Sequence, residues 1–498
     1  MLLEFSYTSI ILLSAYLIRI AYWFFSWRRT TAHIPCYGLP GLKGYFLTAL
    51  KYTFDSVECM KAACAEFPHR PFFMPTLING PILVVGSDYI DFLRTSTDRV
   101  FSANAARYEM NQLNWTLDPH QLKNPYGIGV LQRETSKELD KYLPGIVGEI
   151  ELTLDDGLRT SNVADDVEID LFPSMTDMIA RIVNRTLVGQ ELCRNTRYRR
   201  AVVHYASTFV FYSMVLKLFP DFMKALVYNV LSIMFGGKRE PAKHLLTFLK
   251  NYTSSGEEEN PTMIAALLKE SGQSDPQQLV MPLIALNFGS IHTTSIVCTQ
   301  TLFELAVMSP SDVKLIRDEI EEVFSRHNGE WTKSALSSCL RLDSLLREIG
   351  RLYGVTIFSS ERYTIQDGIL PGKVIVPRGT MLSVPNLTVH MDPKIYPDPE
   401  KFDAFRFYDF KKNTNADGKE PKHDLTTIDS NHYLLFGLGR HACAGRYFAA
   451  AVIKLVVIYV LRHYDVRLPK CYKERPQNLI FNGVIVPDRK GRLQFVRR

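Results

Sequence analysis

Phe436-Gly437-Leu438-Gly439-Arg440-His441-Ala442-Cys443-Ala444-Gly445 is the stretch that decides the reading of this chain. Glycine-rich backbone presents one cysteine just before residues 447–461, an apolar run with the character of a helix. A cysteine at a helix start feels the positive end of the helix dipole, which stabilises a thiolate. Glycines let the backbone approach a flat ligand, and N–H groups near the sulfur tune its electron donation. A thiolate presented in this way suits haem iron, where it pushes electron density toward the metal. The competing reading of a lone cysteine is a buried structural residue in a tight turn.

The segment resembles the haem-binding loop of the cytochrome P-450 family, Phe-x-x-Gly-x-Arg-x-Cys-x-Gly. Phe436, Gly439, Cys443 and Gly445 match, and His441 stands where the family usually carries arginine. The resemblance implies haem b with Cys443 as axial ligand. Arg440 and His441 are both candidates to hold a haem propionate.

Two upstream motifs fall at compatible distances. Glu348-Ile349-Gly350-Arg351 is Glu-x-x-Arg, and i,i+3 spacing on a helix puts both charges on one face. Glu191/Arg194 has the same spacing, so the motif alone is weak. Phe402-Asp403-Ala404-Phe405-Arg406-Phe407, after Pro399-Glu400, resembles the family's meander with Ala404 replacing a proline. The resemblance implies a buried triad of Glu348, Arg351 and Arg406 that is structural. Gly289-Ser290-Ile291-His292-Thr293-Thr294 resembles the oxygen-activation motif, with Thr293 on the proton-delivering threonine and His292 replacing the usual acid. The early Trp-x-x-x-Arg that often binds a propionate is missing. Arg362, eleven residues after Arg351, is the alternative donor.

Outward from these motifs the texture is mainly helical, with examples at 131–154 (broken or kinked at Pro144), 175–187 and 315–326. Residues 276–303 hold no formal charge apart from His292, long enough to cross a bilayer. The polar cluster from Asn287 to Ser295 argues instead for a core helix aimed at a site. Residues 205–235 are apolar and aromatic, read either as core or as a substrate-channel lid touching membrane. Asn79-Gly80 between two apolar runs signals a hairpin. After residue 360 short β-prone runs follow, so the expected fold is mainly α, the P-450 fold with a small β region and an N-terminal transmembrane helix.

Residues 7–27 read YTSIILLSAYLIRIAYWFFSW, followed by Arg28 and Arg29. Length, aromatic end and flanking charge suggest a membrane anchor with its C-terminal side in the cytoplasm, although Arg19 interrupts it. An interfacial helix and a signal peptide are the alternatives. The expected organisation is residues 1–29 as anchor, 30–45 as a Pro/Gly-rich tether, and 46–498 as one haem-binding domain. The net charge of +6 is dispersed over 498 residues, without a basic block for nucleic acid. None of the eight cysteines forms a Cys-x-x-Cys, which fits a reducing compartment and makes the Asn-x-Thr sequons at 114, 184, 251 and 386 chance.

The resemblance implies a monooxygenase of a hydrophobic secondary metabolite on the cytoplasmic side of the endoplasmic reticulum membrane. A terpenoid of diterpene or indole-diterpene type is favoured by similarity to fungal members. The implied partners are an NADPH-cytochrome reductase, a cytochrome b-type donor, membrane lipid and the small hydrophobic substrate. Lys411, Lys412 and Arg446 are candidates to dock the reductase. A haem-thiolate isomerase or dehydratase needing no external electrons, and a non-enzymatic haem sensor, are the alternatives. Thr293-Thr294 favours the monooxygenase.

Overall fold

The uncharged stretch becomes a 3-10 turn, Pro276–Leu279, continued by the helix Val280–Leu305. The computed structural model describes residues 20–117, 126–158, 166–252, 261–272, 275–408, 424–428 and 431–498. It contains two compact units. The larger comprises Tyr108–Ile357, Val389–Leu479 and Val484–Arg498.

The helices of the larger unit that matter for the site are α1 (Leu171–Val188), α2 (Thr196–Lys217), α3 (Asp221–Phe235), α4 (Val280–Leu305), α5 (Leu340–Leu352) and α6 (Arg446–His463). Helix α4 packs against α1, α2, α5 and α6, and every residue from Thr294 to Leu305 is buried. Several of its hydroxyls are satisfied within the helix: Ser290, Thr293, Ser295 and Thr301 each donate to the carbonyl four residues back, at 2.6–2.9 Å, and of these Ser295 and Thr301 are buried. Asn287 is pinned across helices: Asn184 Nδ2 of α1 donates to its Oδ1 at 2.6 Å, and Tyr198 Oη of α2 donates to Asn184 Oδ1 at 2.9 Å. Asn184 is fully buried, so its sequon is closed to glycosylation. The core reading of 276–303 therefore explains a composition that length alone would assign to a bilayer.

Proline and loop chemistry place the breaks. The 131–154 run is two helices, Tyr126–Lys137 and Leu143–Leu158, with a 3-10 turn at Leu139–Lys141. The break precedes Pro144, which sits in the first turn of the second helix, where a missing N–H costs nothing. The 205–235 run divides between α2 and α3 ahead of Asp221, after Pro220. A three-stranded antiparallel sheet completes the unit, with Arg492–Arg497 between Asp166–Asp170 and Tyr464–Arg467.

The smaller unit comprises Met1–Arg107, Phe358–Thr388 and Ile480–Gly483. Its five-stranded sheet runs Phe72–Met74, Ile82–Val84, Met381–Pro385, Phe358–Thr364, Phe101–Ser102. The first two strands form the hairpin expected around Asn79-Gly80, and Ile82–Val84 pairs in parallel with Met381–Pro385. A register shift lies between Ser359 and Arg362, where Ser360 takes a left-handed φ of 57°. The helix Gly41–Phe54 begins inside the segment assigned to the tether. Residues 20–31 are helical. Phe24 is buried, and the Trp27 ring lies 5.8 Å from Tyr45 and 5.1 Å from Phe73. The far end of the 7–27 stretch is therefore packed on protein, while residues 7–19 lie outside the described residues.

Candidate active site

The cysteine loop is closed by its own backbone. Gly437 N–H donates to the Leu434 carbonyl at 3.0 Å, Cys443 N–H to Phe436 at 2.8 Å, and Ala442 N–H to Gly439 at 3.1 Å. Gly437 and Gly439 sit at φ 72° and 53°, a region costly for residues with a Cβ. Gly445 precedes α6, and a Cβ there would approach Leu131 Cδ2 to 3.3 Å. The result is an exposed thiol, in no disulfide, two residues before the cap of a buried helix. Arg440 Nε donates to His441 Nε2 at 3.0 Å, which leaves the ring proton on Nδ1.

A second exposed surface interrupts the otherwise buried α4. Gly289 and Thr293, one turn apart, are both exposed, and a Cβ added at Gly289 meets no atom within 4 Å. Thr293 Oγ1 donates to the Gly289 carbonyl at 2.9 Å. His292 turns another way: its Nε2 lies 3.1 Å from Ser207 Oγ of α2. Burial pushes its imidazolium below the ordinary range, a nearby Arg489 acts in the same direction, and the Val203 carbonyl opposes them. His292 is therefore a neutral ring at physiological pH. Thr294 is buried. The structure places Thr293 and His292 on different faces, with different hydrogen-bond partners.

Behind the loop, Glu348, Arg351 and Arg406 meet. The fully buried Glu348 carboxylate accepts from Arg351 Nε and Nη2 at 2.8 Å each, from Arg406 Nε at 3.2 Å and from the Asp403 N–H at 3.0 Å. Arg351 also donates to the carbonyls of His390 and Pro399, and Arg406 to those of Pro397 and Lys401. The group thus ties α5 to residues 390–406.

His390 carries this framework to the loop. Its Nε2 accepts from the Leu434 N–H at 2.9 Å, and its Nδ1 lies 3.3 Å from the Arg351 carbonyl. The ring is stacked on Tyr433, and burial, with Arg351 and Arg347 nearby, lowers its pKa to about 3. Sequence reasoning passed over His390, because nothing local distinguishes it from a surface histidine.

Arg362 belongs to the smaller unit. It is 2 % exposed and donates to the carbonyls of Leu93, Ser360 and Glu361 at 3.0–3.2 Å, so it is not a surface arginine. Arg446 corrects another expectation. A docking residue must be exposed, but Arg446 is buried and donates to the Cys443 carbonyl. Lys411 and Lys412 lie outside the described residues.

Together the exposed thiol, the glycine-shaped loop and an open helical face bearing a hydroxyl fit a flat, thiolate-ligated, anionic group such as haem. Among solved structures, the chain is similar to a retinoic-acid-bound cyanobacterial CYP120A1, with a TM-score of 0.65 and 19% identity over 90% of this chain and 96% of that one. It is 29% identical to cytochrome P450 monooxygenase 151 of Postia placenta, over 95% of this chain and 96% of the relative. It is 28% identical to cytochrome P450 monooxygenase paxQ of Penicillium paxilli, over 93% and 91% respectively. The cytochrome P450 family model matches residues 130–495, from the helix preceding Pro144 through the cysteine loop to the final strand. The chain belongs to the cytochrome P450 family and is a haem-thiolate monooxygenase.

Proposed function

We propose that this enzyme oxidises a small hydrophobic terpenoid of secondary metabolism at the endoplasmic reticulum membrane, with electrons from an NADPH-dependent flavoprotein reductase. The single observation that carries the chemistry is the exposed Cys443 thiol, held in a loop closed by the Phe436 carbonyl. Cys443 is the axial ligand in this reading. Phe436, Gly439 and Gly445 shape the cradle, and Arg440 and His441 are the donors for the propionates. When bound, haem supplies reductive activation of dioxygen and transfer of one oxygen atom into an unactivated C–H bond.

The chain's own residues supply ligand, proton and position. Thr293 holds a hydroxyl proton at Oγ1, anchored on the Gly289 carbonyl beside the open helical face. His292 is neutral and shares a hydrogen bond with Ser207, so it holds a ring proton available to a relay. Helix α3 supports membrane attachment: Phe222, Leu226, Ile233 and Met234 are 65–84% exposed, more apolar surface than an isolated helix leaves in water without purpose. The terpenoid class rests on resemblance to fungal secondary-metabolism members.

The test is reconstitution with reductase, NADPH and candidate terpenoids, measuring product, peroxide and NADPH together. Thr293→Ala is expected to retain haem but divert reducing equivalents to peroxide. His292→Ala is expected to slow product and raise peroxide per NADPH, with partial recovery in His292→Asp. Unchanged coupling in His292→Ala removes the histidine from the proton route. Product formed without NADPH would overturn the monooxygenase reading in favour of an isomerase or dehydratase.

A further inference from the structure

Arg446 is the first residue of α6, three after the cysteine and 8% exposed. Its Nη1 donates to the Cys443 carbonyl at 3.0 Å, and its own N–H approaches the same oxygen at 3.4 Å. Nη2 donates to Tyr447 Oη at 3.2 Å, and the guanidinium lies 4.5 Å from the Tyr447 ring centroid. Nε is buried and has no hydrogen-bond partner. Burying a guanidinium with one donor unsatisfied is costly, and a surface-stabilising arginine has no need of it.

We propose that Arg446 is a positioning residue for the iron-ligating thiol: it clamps the Cys443 carbonyl to the first turn of α6 and keeps a permanent positive charge beside the sulfur's loop. Two consequences follow from one side chain. The clamp fixes the backbone that carries the sulfur, since the Cys443 carbonyl is held by both a main-chain and a side-chain donor. The charge opposes electron donation by the thiolate, because a nearby cation stabilises the anionic sulfur. Tyr447 holds the guanidinium in place from the other side, by its hydroxyl and its ring.

The inference rests on Cys443 being the ligand, so Cys443→Ser accompanies the test. Arg446→Gln removes the charge, and Arg446→Lys keeps it but loses the fork that reaches both Cys443 and Tyr447. The readouts are the reduction potential of the haem iron and the fraction of the ferrous carbon-monoxide complex with the red-shifted Soret band. Arg446→Gln is expected to lower the potential. Arg446→Lys is expected to keep the potential near wild type while lowering the red-shifted fraction. A wild-type potential in haem-loaded Arg446→Gln would overturn the proposal. Should Arg446→Gln retain no haem, a wild-type red-shifted fraction in Arg446→Lys would overturn it instead. Survival of the red-shifted band in Cys443→Ser would defeat the ligand assignment itself, a separate failure.

Discussion

Replacing Glu348 with alanine strips the counter-charge from two buried guanidiniums. The Arg351 side chain is fully buried and that of Arg406 is 7% exposed. Both keep carbonyl partners in the variant, at Pro399 and His390 for Arg351 and at Pro397 and Lys401 for Arg406. The loss is therefore of charge compensation, the case in which breaking a buried pair costs about 3–5 kcal/mol. Glu322–Arg326 provides the contrast: its atoms are closer, at 2.6 Å, but its side chains are 69% and 57% exposed. Water screens that pair, and Glu322→Ala is expected to cost under about 1 kcal/mol. Urea unfolding, followed by circular dichroism and by the Soret band, measures both. Because the triad acts as a unit, Glu348→Ala with Arg351→Met should cost less than the sum of the single changes. A loss below about 1 kcal/mol for Glu348→Ala, or strict additivity in the double variant, would refute the reasoning.

Two further outcomes follow from the same framework. His390 stays neutral when folded, with a pKa of about 3, while the unfolded chain takes up the proton near pH 6.5. Its stabilising contribution is complete above pH 6.5 and is lost as pH falls toward 3, about 1.4 kcal/mol by pH 5.5. Urea titrations should show His390→Gln with a shallower acid loss than wild type, and parallel curves would remove His390 from the account. In a protein lacking residues 1–19, Phe222→Asp with Ile233→Asp should reduce flotation with phospholipid vesicles several-fold; undiminished flotation would move membrane attachment away from α3.

Local chemistry made much of this legible. The glycines of the cysteine loop and the uncharged α4 announce themselves within a short stretch, because turns and core helices are short-range patterns, whereas the i,i+3 pair of Glu348 and Arg351 stands out from Glu191/Arg194 only beside the 402–407 motif. What stayed hidden depends on distant partners. The pairing of Ile82–Val84 with Met381–Pro385 joins strands some 300 residues apart, and nothing in either strand names the other. His390 and Arg446 look like surface residues until burial and their carbonyl or amide partners are seen. The direction of His292 was equally hidden: adjacent residues on a helix point about 100° apart, so sharing a motif with Thr293 does not imply sharing a path.

The central claim is that Cys443 carries the iron, and the ferrous carbon-monoxide spectrum tests it most directly. Cys443 and Cys471 are the two exposed cysteines of the eight. Cys443→Ser is expected to abolish the red-shifted Soret band and turnover, whereas Cys471→Ser is expected to keep both. A red-shifted band that survives in Cys443→Ser, or one that disappears in Cys471→Ser alone, would contradict it.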